Sequence, residues 1–354
     1  MRFNVAKGLS LVELMISLLV GSIITAGVVQ LYSANSETYR LVAGQSRMQE
    51  SARFALAFIE RDVQTAGNMG CFSSNRQLHW TADDPLNIPY EFDLRSGIKG
   101  YNGAVSGSWI PSLGELPGDG NTFPGSTGIN ISTIVSGTDV LTVRSIKQQV
   151  LENRLANSMP TSREPIEIVA PNNGIAGLGF AQLDLALIHD CEKATIFQVT
   201  EIDQTSAAPN FLIGHETNQL DPWRNSILTL AVKNTFGVDA VVSGIDTRVY
   251  YIAPGSGQNK FGDNTSSLWR KSGTSPPVEL VEGIEDLQLL FGVAVEGSSI
   301  PSQYLTANLV ANWMAISTLR VTVVANSVED VGASTSDGLI RRAFTQTIML
   351  RNGG

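Results

Sequence analysis

The chain has 354 residues, enough for one large or two medium domains; 43% are hydrophobic, only 16% are charged, and 33 are glycine. That balance suits a turn-rich, β-rich protein outside the cytoplasm and argues against long charged helices. The net charge of −9 repels phosphate backbones and argues against a general nucleic-acid role, although a local basic patch would survive the average.

In chain order the first element is an apolar helix over residues 9–32, where Glu13 is the sole charge. Roughly 24 residues at about 1.5 Å rise cover ~36 Å, enough to cross a hydrocarbon core of about 30 Å. Arg2 and Lys7 precede this run, which leaves the N-terminus cytoplasmic and the bulk of the chain outside. A secretory signal is cut after its apolar region. Here the Lys7-Gly8 pair comes before it, and the apolar run lengthens into a helix. Glu13 is the anomaly. A carboxylate in an apolar span either finds a partner, which makes it functional, or stays hydrated one turn inside the membrane surface. The residues alone leave both open.

No proline interrupts the chain before Pro85. Met48, Ala52, Ala55, Ile59, Val63 and Ala66 recur at three- and four-residue spacing and predict a helical stripe. Glu50, Arg53, Glu60, Arg61 and Asp62 are expected mostly off it. One helix is thus predicted over 9–66, with Gly67 and Gly70 as terminators and Gly21, Gly27 and Gly44 as points of bending. Residues 68–136 read as proline- and glycine-broken surface loops. Alternating runs at 139–144, 181–187, 195–200, 227–232, 248–252, 287–295, 319–324 and 344–350 predict strands. The stretch 278–286 reads as strand or turn. The plan is α+β: one long N-terminal helix packed against antiparallel β-sheets.

The segment Lys7-Gly8-Leu9-Ser10-Leu11-Val12-Glu13-Leu14 resembles the N-terminal signal of type IV prepilins. The resemblance implies a leader at 1–8, cut by a prepilin peptidase between Gly8 and Leu9, and N-methylation of Leu9. Most members carry phenylalanine where Leu9 stands. It also implies that Glu13 pairs with the N-terminal amine of a neighbouring subunit during assembly. Residues 9–67 become the long helix, with 9–32 transmembrane, and 68–354 the β-rich head. Further stretches are similar to the PilW family of minor pilins: 51–71, 190–200, 280–293 and 345–352. That similarity implies other minor pilins, the major pilin and a large tip adhesin-like protein as partners. It also implies a subunit that sits in the inner membrane with a periplasmic head, then at the pilus tip. The J-type minor pseudopilin of a type II secretion system shares the N-terminal logic and is the alternative. A periplasmic enzyme or receptor on an uncleaved anchor is a third.

Cys71 and Cys191 are too few for a disulfide scaffold or a cysteine-built zinc site. With the head outside the cytoplasm they are expected to pair; two unrelated buried thiols are the other reading. Both fall inside the resembling stretches. His79, His189 and His215 are scattered, and no nucleophile elbow, Walker loop or zinc-protease motif is present. Asp83-Asp84 and 262–265 read as turns, and the five tryptophans as packing. No catalytic residue, cofactor or metal ligand is expected.

Overall fold

The computed structural model describes residues 10–71, 78–81, 90–116, 127–147, 153–171, 174–204, 210–216, 225, 234–295 and 300–351. Among them one α-helix, α1 (Leu11–Val63), precedes the strands. These begin with β1 (Leu78–Trp80), β2 (Ile98–Gly103), β3 (Trp109–Ile110), β4 (Val140–Ile146), β5 (Ile166–Val169), β6 (Leu185–His189), β7 (Ala194–Gln198) and β8 (Glu201–Gln204). They continue with β9 (Asn210–Gly214), β10 (Val241–Gln258), β11 (Asn264–Ser272), β12 (Val278–Glu282), β13 (Ile284–Ala294), β14 (Pro301–Leu305), β15 (Ile316–Asn326) and β16 (Arg341–Met349). This is the α+β, pilin-like arrangement.

Ser10 caps α1: its Oγ accepts the Glu13 backbone N–H at 3.1 Å, satisfying a donor that the first turn cannot. The helix then runs 53 residues through Gly21 and Gly27. Met48, Ala52, Ala55, Ile59, Val63 and Ala66 are each at most 1% exposed, so the stripe is the buried face. Gly44 serves close contact instead of bending. A Cβ there would lie 2.7 Å from Val331 Cγ1, so its absence lets the 327–340 loop pack on the helix. Beyond the last turn, the Gly67 N–H donates to the Arg144 carbonyl in β4 at 2.8 Å and fastens the helix end to the head.

The spine of the head is β10. It lies in a nine-stranded sheet ordered β1-β7-β6-β10-β4-β2-β3, to which β11 and β12 attach through β10. Its 18 residues serve three neighbours: 241–244 pair with β6, 245–250 with β4, and 248–258 with β11. A four-stranded sheet, β14-β13-β15-β16, and a three-stranded one, β5-β9-β8, complete the described ladders. These pair antiparallel except β1 with β7.

Helix α1 shares one core with the two larger sheets. Met48 and Ile59 meet Leu141, Tyr250 and Leu268 of the main sheet and Leu287, Phe291, Leu319 and Val321 of the four-stranded sheet. Each such large apolar side chain contributes about 1.5–3 kcal/mol before the entropy of ordering is set against it. A second core, with Ile166, Ile168, Phe197, Phe211 and Ile213, joins the three-stranded sheet to β6 and β7.

The region 68–136 departs from the loop expectation, since it supplies β1, β2 and β3. Strand β2 pairs along β4 inside the main sheet, but Ile-Lys-Gly-Tyr-Asn-Gly alternates too weakly to signal a strand. The run 181–187 turns into strand only at Leu185; before it Leu183 has φ 74°, a turn conformation. The ambiguous 278–286 stretch is β12, a turn at Gly283, then the start of β13. Residues 227–232, Asp83-Asp84 and Trp223 lie outside the described residues. Of 262–265, Gly262 and Asp263 lie in the β10–β11 hairpin turn and Asn264 and Thr265 begin β11. Trp109 donates to the Thr138 carbonyl at 2.8 Å and Trp313 packs edge-on to Phe291, both as packing groups.

Asp139 stitches the two larger sheets together. It is 1% exposed, and its carboxylate accepts the Gly103 N–H at 2.9 Å and the Leu289 N–H at 2.8 Å. Burial nonetheless pushes its carboxyl up to about 6, against the lowering pull of those two donors. A folded value above the unfolded one means its stabilisation is full below about pH 4 and is lost as pH rises through the folded value. Against Asp139→Asn, wild-type unfolding free energy should therefore fall by up to about 3 kcal/mol between about pH 4 and about pH 8. A pH-independent difference between the two proteins in denaturant titrations would refute this assignment.

Candidate assembly site

Among the described residues nothing packs on half of α1. The apolar window in its first part is 0% buried, with Leu11 77%, Leu18 66%, Ile23 64% and Leu31 65% exposed. A helix of that length and composition can cross a membrane, and in water such a surface demands a lipid or protein cover. Its polar side chains already suit an apolar setting. Ser17, Ser22 and Thr25 each donate a hydroxyl to a carbonyl of the preceding turn at 2.8 Å. Glu13 stands one turn inside this bare half. Its backbone N–H is capped by Ser10, but among the described residues its carboxylate has no partner. Gly8 and Leu9 lie outside the described residues.

The other half is locked to the head by a charge cluster that sequence patterning missed. Asp62, expected off the buried stripe, is 5% exposed. Its carboxylate accepts the Tyr250 hydroxyl and lies 3.2 Å from Arg248 Nη1 and 3.4 Å from Arg270 Nη1. Arg248 also pairs with Asp246. Burial, reinforced by the Asp62 charge, raises the Tyr250 phenol well above its ordinary range. The spacing was a signal: Asp62 is seven residues after Ala55 and three after Ile59, which places it on the same helix face. Nearer the bare apolar half of α1, Arg47 reaches Glu282 at 2.7 Å.

Cys71 and Cys191 form a disulfide with a Cα–Cα distance of 4.8 Å across a sequence separation of 120. It ties the chain just past α1 to the turn between β6 and β7. Closing so long a loop is worth roughly 4–5 kcal/mol in the chain-entropy account. Gly70 lets this happen: it sits at φ 77°, and a Cβ would lie 2.2 Å from the His189 ring. His189 is therefore a packing residue. Its Nε2 lies 3.3 Å from Ser243 Oγ, and burial pushes its imidazole down to about 4 against the raising field of Asp190.

The arrangement is mechanical: a bare apolar rod, a lone carboxylate near its tip, and a head fastened to its other half by a shared core and a buried charge cluster. The Prokaryotic N-terminal methylation motif matches residues 4–29, and Type IV Pilus-assembly protein W, PilW, matches residues 249–352. The second match covers Tyr250, Arg270 and the four-stranded sheet, the part of the head that receives α1. No curated protein and no solved structure matches the chain. Together the two matches support a type IV pilus prepilin. Its helix and motif are consistent with an inner-membrane-anchored pilin. Within that class the match over residues 249–352 supports a PilW-like minor pilin, and the pseudopilin alternative has no better support.

Asp62→Ala would leave two guanidinium groups and a phenol facing an empty acceptor position. The detergent-solubilised full chain is expected to lose about 3 kcal/mol in denaturant unfolding, since removing one partner strands the others. A loss below about 0.5 kcal/mol, the size of a surface substitution, would show that Asp62 does not hold the helix.

Proposed function

We propose that this minor pilin acts by assembly and not by catalysis. It joins other minor pilins and the major pilin, helps to prime the filament and takes a place in the tip complex with a large adhesin-like protein. In this reading a prepilin peptidase cuts between Gly8 and Leu9 and the new Leu9 amine is methylated. The helix anchors the subunit in the inner membrane with the head in the periplasm until extraction. Glu13 then meets the N-terminal amine of a neighbouring subunit in the low-dielectric filament core, where an unpaired carboxylate would be costly.

The observation that carries this reading is the bare apolar half of α1, with unpartnered Glu13 one turn inside it. The disulfide supports an oxidising location for the head.

Intact mass of the membrane-extracted protein tests the processing. With active peptidase the chain should lack residues 1–8 and carry one added methyl group, and it should gain two hydrogens on reduction. A chain still starting at Met1 despite active peptidase would overturn the pilin mechanism. Glu13→Ala should leave the processed subunit in the membrane fraction and strongly deplete it from sheared pili. Equal incorporation on immunoblots would show that the carboxylate has no pairing role.

A further inference from the structure

Where α1 leaves the head, the tip of the β10–β11 hairpin lies beside it. The tip is braced. Asn259 Oδ1 accepts the backbone N–H groups of Phe261 and Asp263 at 2.9 and 3.0 Å. The Lys260 N–H donates to Glu329 at 3.1 Å, and its ammonium lies 3.5 Å from Asp330. The same 327–340 loop meets the helix. Val331 packs at Gly44, and a Cβ on Gly332 would lie 3.9 Å from the Glu37 carboxylate. The tip is thereby held at the level of residues 37–44 of α1. It presents Phe261, 66% exposed, with the Lys260 ammonium 4.9 Å from the ring centroid.

That level is close to the end of the apolar span. From Tyr32 to Glu37 and Arg40 the helix climbs only ~8–12 Å at about 1.5 Å per residue. The interfacial layer outside the hydrocarbon core is about 5–8 Å deep on each side. A tilt of about 20°, ordinary for a single span, lowers one flank of the head further. Tyr32 and Tyr39, two turns apart on one helix face, are 76% and 75% exposed at the same boundary. Aromatic rings with a polar edge favour this layer.

We propose that the β10–β11 hairpin tip is a membrane foot. Before assembly Phe261 enters the headgroup layer of the leaflet on the head's side, and with α1 it fixes the angle at which the head stands. The Lys260 ammonium is already engaged by Asp330, and Glu37 and Asp263 outweigh Arg40 nearby. The ring therefore drives the contact, which needs neither anionic lipid nor low salt. The inference rests on α1 serving as the membrane anchor.

Spin labels test both claims separately. The full chain, its native disulfide kept oxidised, is reconstituted in phosphatidylethanolamine–phosphatidylglycerol vesicles with one label at Phe261→Cys, Val20→Cys or Val238→Cys. Val20 lies in the apolar span. Val238 is 53% exposed and precedes β10, whose 18 residues at about 3.3 Å each separate it from the tip by ~60 Å. Collisions with oxygen, enriched in lipid, are compared with collisions with a water-soluble nickel chelate. The label at 261 should lose nickel collisions and gain oxygen collisions relative to 238, independently of salt. If 261 matches 238 while 20 is in lipid, the foot is refuted and the anchor stands. Loss of both kinds of collision at 261 means cover by protein and also refutes the foot. A water-exposed label at 20 removes the anchor and the foot together.

Discussion

A long helix with one bare half can transmit position to a head only if its packed half cannot rotate or slide, and Asp62 is the residue that prevents this. An apolar stripe alone permits neighbouring registers, because one aliphatic contact resembles the next. A buried carboxylate does not: away from Tyr250, Arg248 and Arg270 it would stand unpaired at a cost of several kcal/mol. The main sheet is arranged around that demand. The antiparallel register that sets Tyr250 opposite Arg270 presents phenol and guanidinium on one face, toward the helix.

With the register set, the molecule divides by solvent. From Leu11 to Tyr32 the helix surface is apolar and open; from Gly44 onward one face of it is covered by the head. The Cys71–Cys191 bond closes the upper end, and the 327–340 loop with the hairpin tip closes the lower end. The subunit is thus a rigid head clamped at both ends of a twenty-residue grip, with the rod left free for lipid or for other helices.

Legibility in the sequence followed the strength of local periodicity. The stripe from Met48 to Ala66 was readable because a helix repeats every 3.6 residues and only one face is buried. Strands β13, β15 and β16 were readable because they alternate. Strand β2 was not, since glycine, lysine and asparagine occupy four of its six positions and its longer partner, β4, is remote in sequence. Strand β11, Asn-Thr-Ser-Ser-Leu-Trp-Arg-Lys-Ser, was hidden for the related reason that buried serine and lysine imitate a loop. Asp62 was misplaced because its charge outweighed its position. Asp139 gave no signal at all, as its partners Gly103 and Leu289 offer only backbone.

The sequence by itself determined the class of the protein: the Lys7-Gly8 junction, the apolar run with its single Glu13, the length of the helix and the β-rich head are all local features. Local features are set by residue type and spacing within one or two turns. Only the tertiary structure decided how the head holds the helix, through Asp62 with β10 and β11, and Asp139 between two sheets. It likewise decided that Phe261 stands beside the 327–340 loop, at the level where α1 leaves the head. Those relations join residues as far as 208 positions apart. Their physical content is burial and charge pairing, which exist only once the chain has folded.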